Sequence, residues 1–193
     1  VGSGPAGLSA AFYLRKNGGH AVTVFESLSE PGGMPLAGIP RFRLPKGILN
    51  SEIFKVRQIG VKIVANQLVT SVDNLLNQGF DAVLLAIGAH GEITLGVEGE
   101  KHPSIMGAVG FLRRINLGND VLLGEQVAII GGGNVALDAA RAAKRLGAKD
   151  VTIVYRRTLN EMPAHPREIE LAAEEGVQFK YLASPTRFEQ SGA

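Results

Sequence analysis

The sequence predicts an α/β protein made of two nucleotide-binding folds with parallel sheets, and three observations carry that reading. Helix and strand signals alternate along nearly the whole chain. A glycine-rich turn leading into a helix occurs twice, as VGSGPAGLSAAFYL from Val1 and as IGGGNVALDAARAA from Ile130. After each helix comes a short β-branched run, VTVFE in the first case and VTIVY in the second, so the glycines sit inside whole strand–turn–helix–strand units.

The elements follow in order. Pro5 to about Asn17 reads as a helix and Ala21 to Phe25 as a strand. The segment EPGGMPLAGIPRFRLPKG, Glu30 to Gly47, carries too many prolines and glycines for either element and is expected to be a loop. Ile48 to Gln58 suits a helix and Val61 to Val64 a strand, while DAVLLAIGAH from Asp81 is a near-continuous apolar run that suits a buried parallel strand ending in Gly88. GVEGEKHPS is polar and turn-rich and is expected to link two domains, residues 1–105 and 106–193. Beyond it come a helix at Gly107 to Leu117, the strand QVAII, the second glycine turn, a helix from Asn134 to about Leu146, the strand VTIVY and a helix from Pro166 to Glu175.

Composition narrows the function classes. The 193 residues are 45% hydrophobic and 20% charged, which is ordinary for a globular protein. A net charge of +2, with no basic tract interleaved with aromatics, argues against a nucleic-acid partner. Zero cysteines exclude disulfides, thiolate metal ligands and a redox-active thiol pair inside this chain. No apolar run reaches membrane-spanning length and the first residues lack the pattern of a secretory signal, so a cytoplasmic setting without a membrane is expected.

Aligned without gaps, Val1–Glu26 and Ile130–Tyr155 share Gly2/Gly131, Gly4/Gly133, Leu8/Leu137, Ala10/Ala139, Ala11/Ala140, Gly18/Gly147, Val22/Val151 and Thr23/Thr152. In a Rossmann-like unit the first glycine turns the chain out of the strand, the second lets backbone approach a pyrophosphate, and the third, Gly7 or its counterpart Ala136, lets helix close on strand. The pyrophosphate then meets the positive end of a helix. The copies differ at the end of the second strand. Glu26, nineteen residues past Gly7, can accept hydrogen bonds from the hydroxyls of an unphosphorylated ribose. Tyr155 takes that place in the second copy and is followed by Arg156 and Arg157, whose guanidiniums can bind a 2′-phosphate and stack on adenine. A solvated basic strand end is the alternative for the arginines; the missing carboxylate favours the phosphate. The first copy is therefore expected to take a diphosphate cofactor such as FAD and the second NADPH.

Five stretches, VGSGPAGLSAAFYL, GGMPLAGIPRFRLPK, DAVLLAIGA, GGGNVALDAARAAKRLGA and VTIVYRRTLNEMPA, resemble the small subunit of NADPH-dependent glutamate synthase and its relatives. These relatives include adrenodoxin-reductase-like flavoproteins and a portion of dihydropyrimidine dehydrogenase. The resemblance covers nearly the whole chain, and GIPRFRLPK together with YRR and EMPA is more specific than either glycine motif. It implies FAD contacts at Gly2, Gly4, Gly7, Glu26, Gly33 and Met34, with Gly88 added at the end of the apolar run, and NADPH contacts at Gly131, Gly133, Asn134, Val135, Arg156 and Arg157. A glycine pair at Gly32 and Gly33 would also let backbone pass close to the cofactor. Arg41, Arg43 and Lys46 could meet a cofactor phosphate or an acidic partner, or be solvated loop charges.

Against that family the chain is expected to be truncated at both ends. Only Val1 stands for the first strand, and SPTRFEQSGA stops before the nucleotide fold would close. The resemblance implies a hydride passed from NADPH to FAD and electrons sent on to iron–sulfur centres outside this chain, in another segment or a large glutamate synthase-type subunit. No metal site and no catalytic acid or base is assigned: His20, His90, His102 and His165 are scattered and read as surface or capping residues. A flavin monooxygenase and a non-catalytic nucleotide-binding or assembly fragment are the other readings.

Overall fold

The computed structural model describes residues 1–190, so the last three residues of SPTRFEQSGA lie outside the described residues. The chain divides after His90 into two units, Val1–His90 and a second from Gly91 on, each with its own parallel sheet.

In the first unit α1 (Pro5–Gly18) starts with proline in its first turn, where a missing N–H costs nothing, and stops at Gly19 in the left-handed region with φ +65. β1 (Thr23–Phe25) then pairs in parallel with β2 (Lys62–Val64). The helix α3 (Lys46–Gln58) makes the crossover. Ala11, Val24, Val56 and Val61 form the core, with Leu8, Phe12, Val22, Ile59 and Ile63 packed against it. On the other flank of β1 the Gly2 N–H donates to the Phe25 carbonyl at 2.8 Å.

Three local expectations need correction. The Pro/Gly-rich segment is not all loop: α2 (Met34–Ala37) makes one turn inside it and α3 begins at Lys46, before its end. The apolar run from Asp81 is not a regular strand. It is tied by hydrogen bonds from Val1 N to Leu84 O (2.7 Å) and from Ala86 N to Val1 O (2.8 Å). Leu84, Leu85 and Ile87 are exposed. Finally, α4 (Val72–Asn77), capped by the Ser71 hydroxyl, and a last strand at Gln178–Tyr181 were not expected from the sequence.

The second unit contains α5 (Ala108–Asn116), β3 (Gln126–Ile130), α6 (Asn134–Arg145), β4 (Asp150–Tyr155), a 3₁₀ turn at Leu159–Glu161, α7 (Pro166–Glu174) and β5 (Gln178–Tyr181). β4 lies between β3 and β5, parallel to both. Its Val151 and Ile153 are wholly buried, and α6 is buried continuously from Ala136 to Ala143. The alanines let α6 lie close to the sheet, since small side chains shorten the distance between elements that pack. α6 also touches α5 and α7, so its polar Arg141 is buried and forks to Glu168 (2.6 Å) and Glu175 (2.9 Å). Among the described residues no helix is long and apolar enough to cross a membrane, and no cluster of His, Cys, Asp or Glu could hold a metal.

Candidate nucleotide-binding sites

The first glycine turn is held by contacts that exclude side chains. Gly2 has φ +100, and a Cβ on it would run into the Ala86 carbonyl oxygen. A Cβ on Gly7 would run into the carbonyl oxygen of Gly2, so the first turn of α1 rests directly on the end of the strand position before it. Gly33, at φ +59, would place a Cβ 2.5 Å from the Gly4 Cα and 3.0 Å from the Gly4 nitrogen. Backbone of the α2 loop therefore passes across the N-terminus of α1, where no side chain caps the free N–H groups. Met34 opens α2, and its side chain lies over Gly38.

Glu26 follows β1 and is 6% exposed. Its Oε2 accepts from the Ser3 N–H (3.0 Å) and the Ser3 hydroxyl (2.5 Å). Its Oε1 accepts from the Leu28 N–H (2.8 Å) and, more weakly, the Ser27 hydroxyl (3.3 Å). Burial by itself raises the carboxyl pKa, but the bonds from Leu28, Ser3 and Ser27 outweigh it and hold the group below the usual carboxylate range. The structure thus gathers Gly2, Gly4, Gly7, Gly33 and Glu26 around one turn. Gly88 is exposed, two residues beyond Ala86, and a side chain on it would meet His90. Ser3 was missed by sequence reasoning. It is fully buried, and its hydroxyl also accepts from the Gly32 N–H at 2.9 Å, yet its one signal is a place inside the glycine motif.

In the second unit Gly131 (φ +136) and Gly133 lead into α6, whose N-terminus again carries no side-chain cap. Asn134 and Val135 stand exposed on its first turn, and the Asn134 side-chain oxygen accepts from the His165 N–H at 3.0 Å. The Tyr155 ring lies where a Gly132 side chain would be, 2.6 Å from the position of its Cβ. The Tyr155 hydroxyl donates to the Glu161 carbonyl at 2.8 Å, which anchors the loop after the arginines. Arg156 and Arg157 are exposed immediately past β4, and Arg157 lies 3.9 Å from the Glu161 carboxylate. Hydrogen bonds from the Thr158 N–H and hydroxyl, with Arg157 adding to them, keep that carboxyl below its usual range. Elsewhere, Arg41 and Arg43 are exposed, Lys46 is paired with Glu30 at 2.7 Å, and His165 caps α7 through Nδ1.

The family model described as pyridine nucleotide-disulphide oxidoreductase matches residues 1–193. The chain belongs to this family. Among curated proteins it is 45% identical over 192 residues to the NADP(+)-dependent formate dehydrogenase subunit beta of Moorella thermoacetica, covering 96% of this chain and 27% of that one. It is 35% identical over 206 residues to the NADPH glutamate synthase small chain of Escherichia coli (strain K12), covering 100% of this chain and 43% of that one. A mutant of FprA from Mycobacterium tuberculosis shares the fold, with a TM-score of 0.81 at 21% identity over 98% of this chain and 60% of that one. The chain thus spans less than half the length of these curated relatives. In this oxidoreductase family the α/β architecture with parallel sheets is as expected. The matched residues contain no cysteine, so they supply no thiol pair.

Proposed function

We propose that this chain is the nucleotide-binding part of a flavoprotein oxidoreductase in which the first unit holds FAD and the second NADPH. The observation that carries the reading is the contrast at the two strand ends: a buried acid, Glu26, follows β1, and two exposed cations, Arg156 and Arg157, follow β4. The residues fit dinucleotides on physical grounds. Two long helices present uncapped N-termini, and glycines clear the approach where side chains would collide. Gly2, Gly4, Gly7, Gly33, Met34 and Gly88 would line the FAD path, with Glu26 on the adenosine ribose. Gly131, Gly133, Asn134 and Val135 would receive the NADPH pyrophosphate, with Arg156 and Arg157 on the 2′-phosphate.

Held along the glycine turn and Glu26, FAD would supply a hydride acceptor for NADPH and a source of single electrons for an iron–sulfur centre in another segment or subunit. The chain's own residues bind and orient. The two curated relatives, a formate dehydrogenase subunit and a glutamate synthase small chain, are both named for NADP(H) and as subunits, and they differ in the reaction named. The glutamate synthase small-subunit type is accordingly our finer proposal, with a large subunit as partner. Anaerobic titration of the FAD-loaded full-length protein with NADPH should bleach the flavin absorbance. An unchanged flavin spectrum at saturating NADPH would refute the reading.

A further inference from the structure

The two repeats exchange a pair of residues together. In the first, Ser3 lies between Gly2 and Gly4 and Glu26 ends the strand; in the second the equivalent pair is Gly132 and Tyr155. The exchange has a steric cause. The Tyr155 ring fills the space that a side chain at Gly132 would need, whereas the slimmer Glu26 leaves room for the Ser3 hydroxymethyl group.

We infer that Ser3 is a positioning residue for adenosine-ribose recognition, pinning Oε2 of Glu26 so that Oε1 is the oxygen turned to the ribose. This rests on the FAD reading above. A carboxylate oxygen accepts about two hydrogen bonds. Oε2 has both from Ser3, and Oε1 has one firm bond from Leu28 and one long bond from the exposed Ser27. A ribose hydroxyl can replace Ser27 at Oε1, whereas Oε2 is closed to it. Because the same Ser3 hydroxyl accepts from the Gly32 N–H, the acid, the glycine turn and the loop bearing Gly33 are registered by one atom. The donors around the carboxylate are all neutral, so its direction is set by hydrogen bonds and not by a counter-ion.

The test compares FAD with its 2′-deoxyadenosine analogue on the full-length apoprotein, each Kd being read from flavin fluorescence. Wild type should bind the deoxy analogue about tenfold more weakly, the size expected of a hydrogen bond to a charged group. In Ser3→Ala that discrimination should fall to about threefold or less. Ser3→Cys, which keeps the shape but donates weakly, should behave the same way and guards against a variant that does not fold. A merely structural role would weaken both ligands equally, so undiminished discrimination in either folded variant overturns the inference. If wild type itself does not discriminate, the ribose role of Glu26 fails, and the positioning role fails with it.

Discussion

At the scale of single residues, Glu26 shows how a buried acid is kept ionised by neutral donors alone. Its folded-state pKa is lowered. The carboxylate therefore adds stability above the unfolded glutamate pKa of about 4.3, and that contribution is lost as the pH falls through the folded value. Glu26→Gln preserves the shape but replaces one acceptor oxygen with an NH₂ group. Whichever way the amide turns, the N–H of Ser3 or of Leu28 faces a donor. The cost should be about 1–3 kcal/mol at neutral pH, the usual penalty for a buried group left unpaired. Urea midpoints of the full-length protein measured from pH 7 downward should show the gap between wild type and variant closing in acid. A gap that stays constant with pH would mean that the ionised form is not what the fold stabilises.

At the scale of elements, α6 is enclosed by α5, α7 and the sheet, which forces a charge into the interior and then neutralises it. Arg141 meets Glu168 and Glu175 with one fork, and Arg145 adds its own bond to Glu175 at 2.7 Å. Burial raises the Glu175 carboxyl, but the two arginines prevail and hold it low. Arg141→Leu should cost about 3 kcal/mol, the low end for breaking a buried pair, because the two glutamates keep partial access to water. Arg141→Lys should fall between, since an ammonium keeps the charge but not the fork. Thermal midpoints would rank the three proteins, and an unchanged midpoint in Arg141→Leu would contradict the account. None of this network was legible in the sequence, whereas α1 and α6 were, because a glycine turn followed by a helical run is a local signal. Ser3 owes its role to Glu26 and Gly32, and Tyr155 its steric role to Gly132, partners more than twenty residues away that no local window displays. The run from Asp81 misled for a related reason: its apolar composition signals a strand, but its backbone bonds go to Val1, some eighty residues back, and composition shows nothing of such a partner.

At the scale of the whole molecule, one backbone frame is used twice with opposite charge at the same address. The net charge of +2 over these 193 residues creates no strong field of its own, so the proposed discrimination between nucleotides rests on local charges. Arg156 and Arg157 are exposed, and their attraction for a phosphate is therefore open to screening, with a Debye length of about 8 Å at physiological ionic strength. NADH lacks the 2′-phosphate and should lose little affinity as salt is added, while NADPH should lose much more. The preference for NADPH in the full-length protein should shrink steadily with ionic strength. Replacing both arginines by alanine should cost NADPH at least about tenfold at low salt, from loss of charge-assisted bonds at an exposed site, and should leave NADH nearly unaffected. The variant should also lose the salt dependence of the preference, because the charges that produced it are gone. Calorimetric titration with both nucleotides at two salt concentrations measures each quantity. Equal losses for NADH and NADPH would assign the arginines to the shared adenosine or pyrophosphate, and the contrast between the two repeats would then need another origin.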